Sequence, residues 1–139
     1  MLKVLLFLCL FVPLQLVDVG TPQEDWEELA CLGSVLALEA LSEPPESRRA
    51  VLDVLLYRMS AAGTSCRTEA LRKHQFSGMT AKKIHPKWLY LYQDCVKMSE
   101  VCGECSHFVR EDVRVEWTKK MKYKGKFGKH RFYYENKEK

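Results

Sequence analysis

The chain has 139 residues and a formal net charge of +4, and 47% of its residues are hydrophobic. This length excludes an array of several independent domains, and the apolar content is sufficient for one folded core. Basic residues cluster near the C-terminus: Lys119, Lys120, Lys122, Lys124, Lys126, Lys129 and Arg131. Such a cluster is typical either of a surface that binds an anionic polymer or of a solvated face that aids solubility, and the sequence favours neither.

Residues 1–20 have the pattern of a targeting segment. Lys3 precedes an apolar run that ends at Leu14. This run is too short to span a membrane, which takes about 20 residues, and it has the size of a secretory signal. Because Asp18-Val19-Gly20 is a poor cleavage site, retention as an N-terminal membrane anchor is the alternative. We therefore predict an exported protein, periplasmic or extracellular, whose folded domain covers residues 21–139.

A first helix is predicted from Thr21 to about Leu41. Thr21 can cap this helix, Pro22 fits its first position, and Glu24 completes a capping box. The expected apolar stripe consists of Trp26, Leu29, Gly33, Leu36, Ala37 and Ala40. Within the stripe, Gly33 permits close approach by another element.

A second helix is predicted from about Pro45 to Met59. Prolines end one helix and can open the next, and the apolar residues after Pro45 recur at helical spacing. Because the join between the first two helices is short, we expect them to form a helical hairpin.

The remaining elements are shorter. Cys66–Lys73 is predicted as a short helix, His74–Met79 as a loop, and Pro86 to about Val101 as a third helix. Ser106–Val109 is predicted to be extended, and Lys126–Tyr134 to be a hairpin or a short strand. The fold class is therefore α+β, mainly α, with a small β element near the C-terminus.

Export predicts an oxidising compartment for the cysteines, which are Cys9, Cys31, Cys66, Cys95, Cys102 and Cys105. Cys31 with Cys66 is a suitable long-range pair, whereas Cys95, Cys102 and Cys105 compete for partners and their connectivity stays open.

The spacing Cys102-x-x-Cys105-x-His107 partly matches a zinc site, which Cys95 or His74 could complete. Export argues against zinc because exported thiols usually oxidise. We therefore predict no metal and no cofactor.

Glu39 is the candidate catalytic residue. It lies among apolar residues, and Glu43 follows four positions later, so both carboxylates project to one side of the helix. Burial of a charge is costly, so a carboxyl in such a place tends to keep its proton near neutral pH and can act as a general acid. Repulsion from Glu43 would raise its pKa further. The alternative is a solvated Glu39 at the edge of the apolar stripe.

Two other groups of residues suggest substrate contacts. Gln75-Phe76-Ser77 offers an amide, a ring and a hydroxyl in a row, which suits sugar recognition. The alternative is an ordinary loop in which Phe76 fills the core. His107 and His130 each lie beside aromatic residues, although a lone histidine is more often structural than catalytic.

Taken in order, these segments resemble the SleB-like cell-wall hydrolase family, which includes spore-cortex-lytic enzymes and many phage endolysins. Residues 38–44 are similar to the family's E-A-R-G-E segment, and residues 50–59 resemble its A-V-A-x-V-x-x-N-R-V helix. Residues 75–77 match its Q-F-S directly. Residues 106–108 resemble its T-H-[YF] segment, and residues 128–133 resemble its closing G-N-H-x-F-Y.

The resemblance covers about Trp26 to Tyr134 and implies a lysozyme-like, mainly helical fold. It implies cleavage of the bond between N-acetylmuramic acid and N-acetylglucosamine in peptidoglycan, by a lytic transglycosylase or a muramidase with Glu39 as its acid. The residues assigned to substrate binding or to support of the cleft are Gln75, Phe76, Ser77, Glu43, His107, His130 and Tyr133. The expected partner is the peptidoglycan glycan strand, bound by a monomer, with no nucleic acid and with transient membrane association through the N-terminal segment. A single small exported domain favours a phage lysis enzyme over a spore enzyme.

The sequence departs from the family pattern at three places. Leu41-Ser42 stand where the family has Arg-Gly, and Tyr57 and Lys129 stand where it has Asn. These departures concern substrate contacts more than the acid. Two alternatives therefore stay open: an N-acetylmuramoyl-L-alanine amidase, which normally needs a metal or a Cys/His pair, and a non-catalytic exported peptidoglycan-binding protein.

Overall fold

The structure is a computed structural model that describes residues 22–72 and 75–136, with side chains described from Trp26 onward. The predicted targeting segment, the Thr21 cap and His74 lie outside these residues. Within them, no helix is both long enough and apolar enough to cross a membrane.

The described chain forms four α-helices, three short 3₁₀ segments and three strands. The α-helices are α1 (Pro22–Ala40), α2 (Pro45–Ala62), α3 (Cys66–Leu71) and α4 (Leu89–Val96). The 3₁₀ segments are Ala81–Lys83, Pro86–Trp88 and Glu116–Lys120. The strands are β1 (His107–Arg110), β2 (Lys122–Phe127) and β3 (His130–Tyr134). The predicted class, mainly α with a small β element near the C-terminus, is confirmed.

Helix α2 begins as predicted and ends about one turn later than predicted. Pro45 occupies its first turn, where the absent N–H costs nothing. Its end is set by Gly63, which has φ of 64° and lets the N–H of Thr64 reach the carbonyl of Met59 at 3.1 Å. A glycine takes this left-handed conformation without steric cost, so Gly63 ends the helix.

Helix α4 ends at Val96, so the prediction of a helix to about Val101 was wrong. The reason is a buried charge on α2. Asp53 accepts the backbone N–H groups of Val101 and Cys102, each at 2.8 Å. Asp53 is also paired at 2.9 Å with Arg49, which donates to the carbonyl of Cys95 at 3.2 Å. These contacts with α2 satisfy backbone groups that a longer helix would have paired internally.

The disulfide between Cys31 and Cys66 joins α1 to α3, as predicted. In the chain-entropy model, a loop of this length stabilises the folded state by about 4 kcal/mol. Cys102 and Cys105 are bonded to each other, so neither sulfur is a free thiolate for zinc. Cys95 is the free cysteine among the described residues, and it is buried.

The three strands form one antiparallel sheet in the order β1-β3-β2. Strands β2 and β3 form the hairpin that the sequence predicted, although β2 begins earlier than expected, at Lys122. Their turn contains Gly128 in the left-handed region, with φ of 59°. Phe132 of β3 is fully buried and joins the sheet to the helical core.

The core is formed mainly by α1 and α2, with residues of α3, α4 and the sheet packed against them. Gly33 permits the close approach that the sequence predicted, because a Cβ there would overlap the backbone carbonyl of Trp88. Trp26, expected on the apolar stripe, is instead 54% exposed. Trp26 therefore buries less apolar surface than the stripe predicted.

Candidate active site

Glu39 lies in the last turn of α1, where its side chain is mostly enclosed. Burial raises the pKa of its carboxyl from 4.5 to about 7, while the positive charge of Arg58 acts in the opposite direction. Among the described residues, none donates a hydrogen bond to this carboxyl. At neutral pH, Glu39 therefore exists in comparable amounts as acid and as carboxylate, which is the condition a general acid–base catalyst needs.

The expected repulsion from Glu43 is not among the causes of this pKa shift, which are burial and Arg58. The carboxylate of Glu43 is buried against the β2–β3 turn, where it accepts the backbone N–H of Lys129 at 3.3 and 3.2 Å. A Cβ on Gly128 would overlap this carboxylate. Glu43 therefore anchors the turn to the α1–α2 junction.

Arg58 is central to the site, although its sequence context predicted no role for it. It projects from α2 and donates from Nε to the carbonyl of Ser106 at 2.6 Å. A longer contact of 3.5 Å joins its Nη1 to the carbonyl of Gln75, and its guanidinium lies 5.1 Å from the ring centroid of Phe76. Arg58 therefore connects α2 to both loops that carry the predicted substrate contacts.

Glu69 is a second residue of the site for which the sequence predicted no role. It is only 2% exposed, and its charge acts on Arg58 more strongly than that of Glu39 does. Its Oε2 lies 3.2 Å from Nη2 of Arg72 and 3.5 Å from the hydroxyl of Thr64. Arg58 is thus held in the electrostatic field of two carboxylates, one structural and one the candidate acid.

The three residues of the Gln-Phe-Ser segment have different environments. Phe76 is 5% exposed and packs at 6.4 Å against the ring of Phe108, so it fills the core as the alternative interpretation expected. Gln75 is half-buried and contributes its carbonyl to Arg58, whereas Ser77 is exposed. Substrate contact therefore stays a prediction for Gln75 and Ser77. Phe76, which lies between them in sequence, is buried in the core.

His130 is buried, and its Nδ1 lies 3.3 Å from Oε1 of Glu43 without forming a well-directed hydrogen bond. Burial lowers its pKa and outweighs the opposite effect of Glu43, while the charge of Arg110 lowers it further. The ring is therefore neutral at neutral pH, and the contact with Glu43 is not an ion pair. His130 also packs edge-on against Phe108 at 5.3 Å, and its role beside a substrate cleft stays a prediction.

Four rings form a continuous aromatic row on one face of the sheet: His107, Trp117, Tyr133 and Tyr123. Neighbouring centroids in this order are 5.1, 5.6 and 5.5 Å apart. Strand register produces the row, since Tyr133 pairs with His107 on one side and with Tyr123 on the other. Tyr133 is buried, and Tyr123 is 55% exposed at the outer end.

The inner end of the aromatic row lies within the influence of Arg58. Burial lowers the pKa of His107, and the charge of Arg58 lowers it further. Its Nδ1 is 2.8 Å from the hydroxyl of Ser106, the residue whose carbonyl binds Arg58. The row therefore leads outward from the surroundings of the candidate acid.

A cavity of about 740 Å³ lies elsewhere, at the start of α1, and its lining includes Trp26, Glu28 and Arg67. Glu39 is not among its lining residues. The most strongly perturbed carboxyl among the described residues therefore lies outside this cavity.

No protein-family model matches the sequence, and no curated protein sequence matches it either. Two solved structures have the same fold. One is the catalytic domain of the germination-specific lytic transglycosylase SleB from Bacillus anthracis, with 17% identity and a TM-score of 0.65 over 77% of this chain and 93% of that one. The other is the catalytic domain of the Bacillus cereus SleB protein, with 19% identity and a TM-score of 0.66 over 84% of this chain and 94% of that one. The chain therefore has a SleB-like fold, as its motifs predicted.

Proposed function

We propose that this protein is a peptidoglycan-cleaving glycosidase, a lytic transglycosylase or muramidase, with Glu39 as its catalytic acid. The observation that carries the proposal is the enclosed Glu39 carboxyl, whose pKa burial raises to about 7. The fold adds support, because one of the two similar structures is named a lytic transglycosylase. The predicted targeting segment adds the further proposal that the protein is an exported lysis enzyme of the phage endolysin type.

In this mechanism, protonated Glu39 donates its proton to the oxygen between the two sugars as the bond from that oxygen to C1 of N-acetylmuramic acid breaks. Positive charge develops at C1 and at the ring oxygen. The Glu39 carboxylate then accepts the proton of the sugar's own 6-hydroxyl, whose oxygen bonds to C1 and gives a 1,6-anhydro end. If water replaces this hydroxyl, the product is a reducing end. The nearby charge of Arg58 favours the carboxylate that forms between these steps.

Substrate contacts are assigned by exposure. Ser77 and the exposed end of the aromatic row are open to a glycan strand, and Gln75 is partly open. Glu43, Phe76 and His130 are buried and support the cleft from within. The aromatic rings suit sugars because the apolar faces of pyranose rings pack on aromatic faces.

The test is mass spectrometry of soluble fragments released from purified peptidoglycan. Wild type should release muropeptides with anhydro or reducing muramic acid ends, and Glu39→Gln should release about 10²-fold less or none, since it cannot donate the proton. Glu46→Gln is the matched control, because Glu46 is an exposed carboxylate in the first turn of α2. Circular dichroism should give the same folded spectrum for all three proteins.

Other products would redirect the assignment. Release of free stem peptides would indicate an amidase, and full activity of Glu39→Gln would exclude Glu39 as the acid. Binding to peptidoglycan by folded wild type without any release would favour a non-catalytic binding protein, for which the departures at Tyr57 and Lys129 are the sequence support.

A further inference from the structure

A separate cavity of about 360 Å³ lies between α1 and the segment 81–88. Ser34 and Leu38 of α1 line it. These two residues are four positions apart and share one face of the helix, whereas Glu39 is turned about 100° from Leu38 around the axis. The cavity therefore belongs to a different face of α1 from the candidate acid.

Two adjacent residues of α1 hold the segment 81–88 in place. The buried hydroxyl of Ser34 accepts the N–H of His85 at 2.9 Å and donates to the carbonyl of Ala30 at 2.7 Å. Gly33 leaves space for the carbonyl of Trp88 to approach the helix. The segment is thus fixed at both ends of its second 3₁₀ turn, so its side chains are presented on a preorganised backbone.

Basic side chains dominate this cavity, and none of its described lining residues is acidic. The basic residues are Lys82, Lys83, His85 and Lys87, all exposed, and we call the site the lysine pocket. Its remaining wall includes Trp88, and Lys87 Nζ lies 5.0 Å from a ring centroid of that indole.

The polar side chains of the pocket present hydrogen-bond donors to a ligand. Nδ1 of His85 accepts the backbone N–H of Lys87 at 3.0 Å, so in the neutral ring Nε2 carries the proton and acts as a donor. Lys83 uses one N–H for the carbonyl of Gly78 at 2.7 Å and retains two others. The pocket therefore combines several cationic donors with an aromatic ring, and it suits an anion attached to a sugar or polyol.

We propose that the lysine pocket binds a phosphate group carried on a sugar or polyol chain, as in the anionic polymers of a cell envelope. Lysine ammonium groups bind phosphate as point charges, and the absence of a neutralising carboxylate among the described lining residues leaves their charge available. The Trp88 ring offers an apolar face to the carbon skeleton between phosphates. This site would retain the enzyme at the wall, and it acts independently of Glu39 chemistry.

The test is a titration of ¹⁵N-labelled, full-length Glu39→Gln protein with a glycerol-phosphate oligomer, followed by NMR. The backbone amides of residues 81–88 and the indole N–H of Trp88 should shift and saturate. Combined Lys82→Gln, Lys83→Gln and Lys87→Gln substitution should weaken binding by about tenfold or more, because it removes the three ammonium groups of the pocket that would contact phosphate.

The matched control removes the same charge elsewhere, through Lys97→Gln, Lys120→Gln and Lys124→Gln, all at exposed positions. Its affinity should stay within about twofold of the parent, given the screening of distant charges. An equal loss in both triple variants, or shifts confined to residues 119–131, would overturn the proposal in favour of general charge attraction. Thermal unfolding of each variant checks that the fold is retained.

Three further ligands identify the chemistry. Inorganic phosphate should displace the oligomer only weakly, since it lacks the chain. Polyglutamate at matched charge should bind more weakly than the phosphate oligomer, and equal binding would contradict phosphate recognition. Vesicles of phosphatidylglycerol should compete poorly. If vesicles shift the amides of residues 81–88 and the soluble oligomer does not, the pocket is a membrane contact. That result would exclude the envelope-polymer assignment.

Discussion

The balance at Glu39 is between burial and one positive charge. Burial raises the pKa of the carboxyl, Arg58 lowers it, and burial prevails, with a resulting pKa of about 7. Without Arg58, the pKa of the carboxyl would be higher still, and more of Glu39 would be protonated at neutral pH. Arg58 is therefore a positioning and tuning residue whose effect should be visible in a pH–rate profile.

Replacing Arg58 with Met should move the alkaline limb of the peptidoglycan-cleavage profile to higher pH. Wild-type activity should fall as pH rises through about 7, because the acid form of Glu39 is lost. Removal of the positive charge raises the pKa of Glu39, so the fall should occur later. Arg58→Lys keeps the charge and should keep the wild-type limb even if lost contacts with Ser106 lower the maximal rate. An unchanged limb in Arg58→Met would contradict the assignment of that limb to Glu39.

The raised pKa of Glu39 also predicts how stability depends on pH. The folded-state value of about 7 exceeds the ordinary value of 4.5, so the folded protein binds more protons than the unfolded chain between these pH values. The stabilisation from this proton is complete below about pH 4.5 and is lost as pH rises through about 7. A shift of this size corresponds to about 3 kcal/mol.

Glu39→Gln should therefore gain stability relative to wild type as pH rises. The difference in free energy of unfolding between the two proteins, measured in urea, should change by about 3 kcal/mol from pH 4.5 to pH 8 in favour of the variant. The change of this difference with pH is used because any effect of the glutamine amide on packing is the same at both pH values and cancels. A difference that does not vary with pH would mean that Glu39 titrates normally.

Local sequence was enough to predict that the Glu39 carboxyl is enclosed and has a raised pKa, because the apolar residues around it are neighbours on the same helix. Arg58 and Glu69 could not be found in this way. The groups that define the role of Arg58, the carbonyl of Ser106 among them, come from other elements. Glu69 lies in a six-residue helix whose sequence has no feature that predicts complete burial. Such roles depend on which elements meet in space.

At the scale of elements, the aromatic row depends on the register of the sheet. Tyr133 lies between His107 and Tyr123 because β3 is the central strand, and Trp117 reaches the row from a 3₁₀ segment. The sequence indicated a hairpin and marked His107 and Tyr133, but neither the strand order nor the position of Trp117 follows from local pattern. The row is thus a property of assembled elements.

Tyr123→Ala should weaken binding of inactive Glu39→Gln protein to purified glycan strands by about threefold to tenfold. Loss of one exposed ring removes on the order of 1 kcal/mol of contact with a sugar face. Trp26→Ala is the control, since Trp26 on α1 is 54% exposed and lies outside both the row and the lysine pocket. Co-sedimentation with insoluble peptidoglycan measures both. Equal losses in the two variants would show that the row has no special role.

The two disulfides should differ in their contribution to stability. Cys31 and Cys66 are separated by 35 positions, whereas Cys102 and Cys105 are separated by 3. The chain-entropy model gives about 4 kcal/mol for the longer loop and about 2 kcal/mol for the shorter one. Urea unfolding of Cys31→Ala/Cys66→Ala and Cys102→Ala/Cys105→Ala should therefore give the larger loss for the first pair. The reverse order would show that local packing outweighs loop entropy.

For the molecule as a whole, helical periodicity and proline positions predicted the starts of α1 and α2, and hence a mainly helical domain. The end of α4 was not predictable, because it is set by Asp53, a residue far away in sequence. Recognition of the fold followed from the order of several short motifs, each weak alone. The chain is only 17–19% identical to the two similar structures, so the order of the motifs indicates the fold more clearly than overall sequence identity does.

The net charge of +4 predicts that ionic strength affects binding of the protein to the cell wall more than it affects cleavage of the glycosidic bond. Basic side chains occur in the lysine pocket and in the cluster 119–131. Raising salt from about 0.1 M to about 1 M shortens the Debye length from about 10 Å to about 3 Å, which screens attraction between an exposed cationic surface and an anionic wall. The rate at which fragments are released from intact walls should therefore fall by roughly several-fold. The rate of cleavage of a short soluble glycan that lacks phosphate and stem peptides should change little. A parallel fall for both substrates, with the melting temperature unchanged, would assign the salt effect to the surroundings of Glu39 and contradict a role for the basic surface in capture.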